Sequence, residues 1–136
     1  MTSTLSVKII LPARTILDEE ASMVNLPGQE GVFGVLRGHC KLISNINTGI
    51  VSVFLGGREE KSEEKYFVFS GVAQVNGEEL NILSEFAVLL DKETKTEALD
   101  QVTFLESILP DHQPGSLQAD IILDKLEKYK SLLKFL

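Results

Sequence analysis

The stretch Leu26-Pro27-Gly28-Gln29-Glu30-Gly31-Val32-Phe33-Gly34-Val35-Leu36-Arg37-Gly38-His39 decides the fold of this chain. Gly28, Gly31, Gly34 and Gly38 put four glycines within eleven positions. A helix is ruled out there, because each interior glycine costs about 1 kcal/mol against alanine. A phosphate-binding loop is ruled out too. No Gly-Lys-Ser/Thr ending supplies a lysine for phosphates or a hydroxyl for magnesium, and the three-glycine dinucleotide spacing before a helix is missing. What remains is a run of tight turns and close backbone approaches between short strands.

The sequence around this run obeys the same grammar. Nine of the ten glycines lie at or before Gly77, and only Gly115 comes later. Leu5, Val7 and Ile9 alternate with Ser6, Lys8 and Ile10, as strand residues do. Further strands are expected at Thr15 to Asp18, Ser22 to Leu26, Val32 to Leu36, Leu42 to Ile46 and Ile50 to Leu55. Lys65 to Ser70, Val72 to Val75 and Leu80 to Leu90 complete the set, the last broken near Glu85. Turns are expected at Pro27-Gly28, Asn47-Thr48-Gly49, Ser70-Gly71 and Asn76-Gly77. The charged run Gly56 to Lys65 reads as a solvated hairpin tip.

After Asp91 the period changes. Thr94 with Glu97 forms the pattern of a capping box, and Ala98, Val102, Leu105 and Leu109 follow at helical spacing, joined by Leu99 and Ile108. Pro110 to Gly115 ends that helix. Ser116 is placed to cap a second one, with Ala119, Ile122 or Leu123, Leu126, Tyr129 and Leu133 as its apolar face. The expected fold is α+β and mainly β: a two-sheet β-sandwich over residues 1–91, then an antiparallel two-helix hairpin over residues 92–136.

With 136 residues and 43% hydrophobic composition the chain can bury a real core. A net charge of −7 argues against nucleic acid and against direct binding to anionic lipid. Cys40 is the only cysteine, which suits a reducing compartment. The first residues lack the pattern of a secretory signal, and no run is apolar enough to span a membrane. Chemistry is sparse. His39 and Cys40 are adjacent, so on a strand they point to opposite faces and make a poor nucleophile–base pair. His112 has no second histidine nearby for zinc, and the carboxylates sit in polar runs that solvation explains. No catalytic, cofactor or metal residues are therefore assigned.

The run from Val24 to His39 resembles the signature of the F-type ATP synthase epsilon subunit, bacterial type. The signature is an apolar strand, a Gly turn, Glu-Gly-x-x-Gly, an apolar pair and x-Gly-His. The likeness continues through Thr48-Gly49-Ile50-Val51 and through Tyr66 to Val75. It implies a β-sandwich followed by two helices, and a non-catalytic rotor subunit that joins the gamma subunit to the c-ring and couples rotation to ATP synthesis. Glu30, Gly31, Val32 and Phe33 would meet the c-ring; His39 and Leu42, in a segment running to Ile43, would lie near gamma. The chain would sit on the cytoplasmic face of the bacterial inner membrane, held there by its complex.

Three departures from that pattern stand out. Lys41 replaces a proline after the Gly-His pair, and Val32 stands where some relatives carry a second acid. Some relatives bind ATP at the start of the hairpin, but here Thr94 and Glu97 occupy the Asp and Arg positions of that motif. No arginine follows Arg58, so bidentate phosphate contacts from the hairpin are excluded and no cofactor is expected. The resemblance also implies that the hairpin can reach the catalytic alpha/beta hexamer and inhibit hydrolysis, with Lys125, Lys128, Lys130 and Lys134 as candidate regulatory cations. A free-standing β-sandwich adaptor for a peptide or small ligand is the alternative.

Overall fold

The alternation of Leu5–Ile10 becomes strand β1, in which Leu5, Val7 and Ile9 are buried and Ser6, Lys8 and Ile10 half-buried. The computed structural model describes residues 4–55 and 62–136. The expected hairpin tip therefore lies outside the described residues from Gly56 to Lys61. Its last part, Ser62 to Lys65, belongs to a strand rather than to a tip.

The two short strands expected at Thr15 to Asp18 and Ser22 to Leu26 are one long strand, β2 (Thr15–Gly28). A bulge makes this possible. Ala21 pairs with Leu55 and Met23 with Phe54, which leaves Ser22 as the extra residue. One extra residue reverses the alternation, so the buried set changes from Leu17 and Ala21 to Val24 and Leu26. The Ser22 hydroxyl donates to the Phe54 carbonyl at 3.0 Å and pins the bulge.

The remaining strands are β3 (Gly31–Val35), β4 (Leu42–Ile46), β5 (Gly49–Leu55), β6 (Ser62–Val68), β7 (Gly71–Val75), β8 (Glu79–Leu83) and β9 (Ala87–Leu89). The first half of β2 pairs with β1, which runs parallel to β8; β7 and then β4 complete that layer. The second half lies between β3 and β5, and β6 and β9 extend that layer. A bridge between Gly28 and Ile46 ties the far end of β2 back to β4. The two layers thus share a strand and, among the described residues, belong to one hydrogen-bonded sheet of nine strands. Their inner faces enclose one apolar core that includes Val7, Ile9, Val24, Leu26, Val53, Tyr66, Leu80 and Ile82.

The chain divides into two compact units, Met1–Leu90 and Asp91–Leu136. In the second, α1 (Thr94–Ile108) ends in a short 3-10 turn at Leu109–Asp111, and α2 (Leu117–Lys134) follows. Leu105, Ile122 and Leu126 form the shared core of this hairpin, flanked by Val102, Ile108, Leu109 and Tyr129. Leu99 and Leu123 are not core; they are 47% and 49% exposed. Leu132, not Leu133, is the buried residue of the last turn. Ser116 caps α2 as expected, its hydroxyl accepting from the Ala119 N–H at 3.2 Å.

The Thr94–Glu97 capping box does not form. The residue before α1 is Glu93, which makes no side-chain cap bond, and Thr94 turns back to Asp91. The Thr94 hydroxyl accepts from the Asp91 N–H at 2.8 Å and donates to the Asp91 carboxylate at 3.0 Å. That carboxylate also accepts from the Glu93 N–H at 2.9 Å. Asp91 captures Thr94 because an aspartate bonds readily to the N–H two residues on.

Candidate functional site

The β2–β3 hairpin carries the signature residues. Gly28 pairs with Gly31, Pro27 with Val32 and Leu26 with Phe33. The turn is therefore Gln29-Glu30 and not Pro27-Gly28, which lies within the strand. Gly31 has φ +122°, a backbone that side chains rarely adopt. At Gly28 a Cβ would stand 2.7 Å from the Phe33 ring, so glycine lets that ring fold over the hairpin. Asn47 braces the tip from outside: its N–H donates to the Pro27 carbonyl at 2.7 Å and its amide to the Gly28 carbonyl at 3.2 Å.

The hairpin sorts the expected contact residues by exposure. Glu30 and Gly31 face solvent, and Val32 is 73% exposed, whereas Phe33 packs against the core. On β4, Leu42 also packs against the core, and its neighbour Ile43 is the residue offered outward, at 73% exposed. The tip and β4 meet: Glu30 to Phe33, Leu42 and Ser44 line one open cleft of about 410 Å³. On the outer face, Ile43 lies opposite Gln74 of β7, which lies opposite Asn81 of β8.

His39 lies on the connection between β3 and β4. Its N–H donates to the Leu36 carbonyl at 3.1 Å, and Nδ1 lies 2.9 Å from the Cys40 carbonyl oxygen. A carbonyl only accepts, so Nδ1 carries the proton in that bond, and the imidazole is engaged with backbone rather than with the Cys40 thiol. Two neighbouring contacts tie the connection to the turn after β7. The Gly38 N–H donates to the Gly77 carbonyl at 2.6 Å, and Arg37 and Glu78 form an exposed ion pair at 3.4 Å. Sequence reasoning missed Asn47, Gly77 and Glu78 as supports. Asn47 and Gly77 stood out only as turn residues.

The four lysines of α2 do not share one face. At about 100° per residue, Lys125 and Lys128 fall on one side and Lys130 and Lys134 nearly opposite. Lys128 pairs with Asp124 at 2.8 Å, and Lys130 reaches Glu106 of α1 at 3.6 Å. Thr94 and Glu97 both lie in the first turn of α1. Among the described residues no group of His, Cys, Asp and Glu is arranged to hold a metal, and no helix is long and apolar enough to cross a membrane.

A β-sandwich with this hairpin signature defines a class. Residues 4–90 match the family model for the β-sandwich domain of the ATP synthase delta/epsilon chain. The ATP synthase epsilon chain of Rickettsia bellii (strain OSU 85-389) is 35% identical over 106 residues, 78% of this chain and 97% of that one. Its counterpart from Rickettsia africae is 35% identical over 111 residues, covering 82% and 98%. That of Afipia carboxidovorans is 31% identical over 122 residues, covering 90% and 86%. The chain belongs to the ATP synthase epsilon chain family.

Two solved structures share the fold. One is from the Euglena gracilis mitochondrial ATP synthase assembly of OSCP, F1 and c-ring, with TM-score 0.59, 22% identity, and 97% of this chain and 81% of that one covered. The other is from the Tetrahymena thermophila mitochondrial ATP synthase central stalk and c-ring, with TM-score 0.55, 10% identity, and coverage of 97% and 98%.

Proposed function

We propose that this chain is the non-catalytic epsilon subunit in the rotor of a proton-translocating F-type ATP synthase, joining the gamma subunit to the c-ring. One arrangement supports this above all. The Glu30–Phe33 tip, with Glu30, Gly31 and Val32 exposed, lies beside the start of β4, where Leu42 and Ser44 line the same cleft, on the β unit that matches the family. A part that passes torque between two partners has to resist deformation. A sheet whose layers share a strand and close on an apolar core does so better than loops would.

In this reading Glu30, Gly31 and Val32 meet the c-ring, with Phe33 holding the tip in shape. His39 and Ile43 face gamma, Ile43 supplying the apolar contact and Leu42 anchoring the segment to the core. The tip offers one carboxylate and an apolar side chain, so the ring contact combines a single charge with van der Waals packing. The net charge of −7 leaves anionic lipid unattractive, and the protein is peripheral to the cytoplasmic face of the bacterial inner membrane through its partners. A tagged chain purified from gently solubilised membranes is expected to bring down gamma and c subunits. Recovery of neither would leave the adaptor reading.

The hairpin carries no ATP site. Glu97 places a carboxylate where the family motif needs a cation for phosphate, and no arginine lies in the hairpin. Isothermal titration with Mg-ATP is expected to show no micromolar binding. Contact with the alpha/beta hexamer would fall to Lys125 or Lys134, the two α2 lysines outside the ion pairs found among the described residues, which lie on opposite sides of the helix and would not meet one surface together.

A further inference from the structure

We infer that the Asn76–Glu78 turn is a positioning element for gamma binding: through the Gly38–Gly77 backbone bond it holds the His39–Ile43 segment in its docking shape. This rests on the assignment of that segment to gamma. Among the described residues, two contacts from distant parts of the chain anchor the segment, beside the local bond from the His39 N–H to the Leu36 carbonyl at 3.1 Å. At its far end Leu42 pairs with Val75 and Ile43 with Gln74. At its near end the Gly38 N–H reaches the Gly77 carbonyl at 2.6 Å. His39, Cys40 and Lys41 span the gap between them. A proline at position 41 would stiffen that gap by fixing one backbone angle; lysine leaves it to outside support.

The turn is built to present that carbonyl. Asn76 accepts from the Glu78 and Glu79 N–H groups at 3.3 and 2.8 Å through one side-chain oxygen, and its own N–H donates to the Glu79 carbonyl at 3.1 Å. Gly77 (φ +98°) and Gly38 (φ +89°) both adopt backbone shapes that favour glycine. A Cβ on Gly77 would meet only the His39 carbonyl, at 3.8 Å. A Cβ therefore has room there, and its effect comes through the backbone angle. The Arg37–Glu78 pair lies beside the bond, but both side chains are exposed, 45% and 77%. It contributes little by itself and serves as a mild probe.

The test uses the full-length chain and its cognate gamma subunit. Gly77→Val should weaken gamma binding about tenfold and speed hydrogen exchange at the Gly38 amide, while far-UV circular dichroism stays unchanged. Glu78→Gln, which keeps the glycine, should weaken binding roughly twofold and covers the case in which Gly77→Val does not fold. Ile43→Asp is the control for the parent assignment and should weaken binding on its own without changing Gly38 exchange. If Ile43→Asp weakens binding but Gly77→Val exposes the Gly38 amide at unchanged affinity, the positioning role is wrong and the gamma assignment survives. If Ile43→Asp leaves affinity intact, both fall.

Discussion

At Tyr66 the β unit places an ionisable group where ionisation is costly. The ring belongs to the core and is 3% exposed. Burial, with Glu64 and Glu19 adding negative charge nearby and Glu64 bonding to the hydroxyl, pushes its pKa up to about 12. The folded state therefore keeps a proton that the unfolded chain releases near 10. Stability from this site is intact below pH 10 and lost as pH rises from 10 towards 12. Ultraviolet titration of the two tyrosines should resolve one near 12 that Tyr66→Phe removes. Tyr66 titrating near 10 in the folded protein would refute the buried placement. Position 66 was legible from sequence as a strand residue, but Glu19 lies far away in the chain and its proximity was not.

Elements show the same division. Strand alternation and helical spacing were readable wherever a local period persists, as in Leu5–Ile10 and from Ala98 onward. The period failed as a guide in β2, because the run Glu19-Glu20-Ala21 looked like a gap between two strands and the bulge at Ser22 leaves no local mark. Helix starts depend on competition among neighbouring polar groups. Thr94 had two possible partners, and the Asp91 carboxylate, held below its ordinary range by the Glu93 N–H and the Thr94 hydroxyl, won. Ser116 had no rival and caps α2 as expected. Ser116→Ala should lower hairpin stability by about 1 kcal/mol, read as a shift in thermal unfolding at 222 nm; an unchanged midpoint would mean that the cap is redundant.

For the whole molecule, the match to the family model ends at residue 90, where the second compact unit begins. The Rickettsia bellii relative is 97% covered while 22% of this chain lies outside the match, 78% being inside it. In the proposed reading, rotor coupling would rest on the β unit and any restraint of hydrolysis on the hairpin. A chain ended at Leu90 should still assemble and support ATP synthesis, while ATP hydrolysis by the complex rises. Equal hydrolysis with and without the hairpin would remove the inhibitory role, and loss of assembly would move the coupling function into the helices.

The sequence by itself determined the fold class, the change from strand to helix near Asp91, and the family signature between Val24 and His39. Each is a local pattern of side-chain period, glycine spacing and turn chemistry. Only the tertiary structure decided which candidate contact residues face outward, Val32 and Ile43, and which pack against the core, Phe33 and Leu42. It alone showed that the backbone of Gly38 is held by Gly77, and that Asn47 braces the hairpin tip. The reason is physical: exposure and bracing come from pairing between segments distant in sequence, and residue type does not encode which distant segment will arrive.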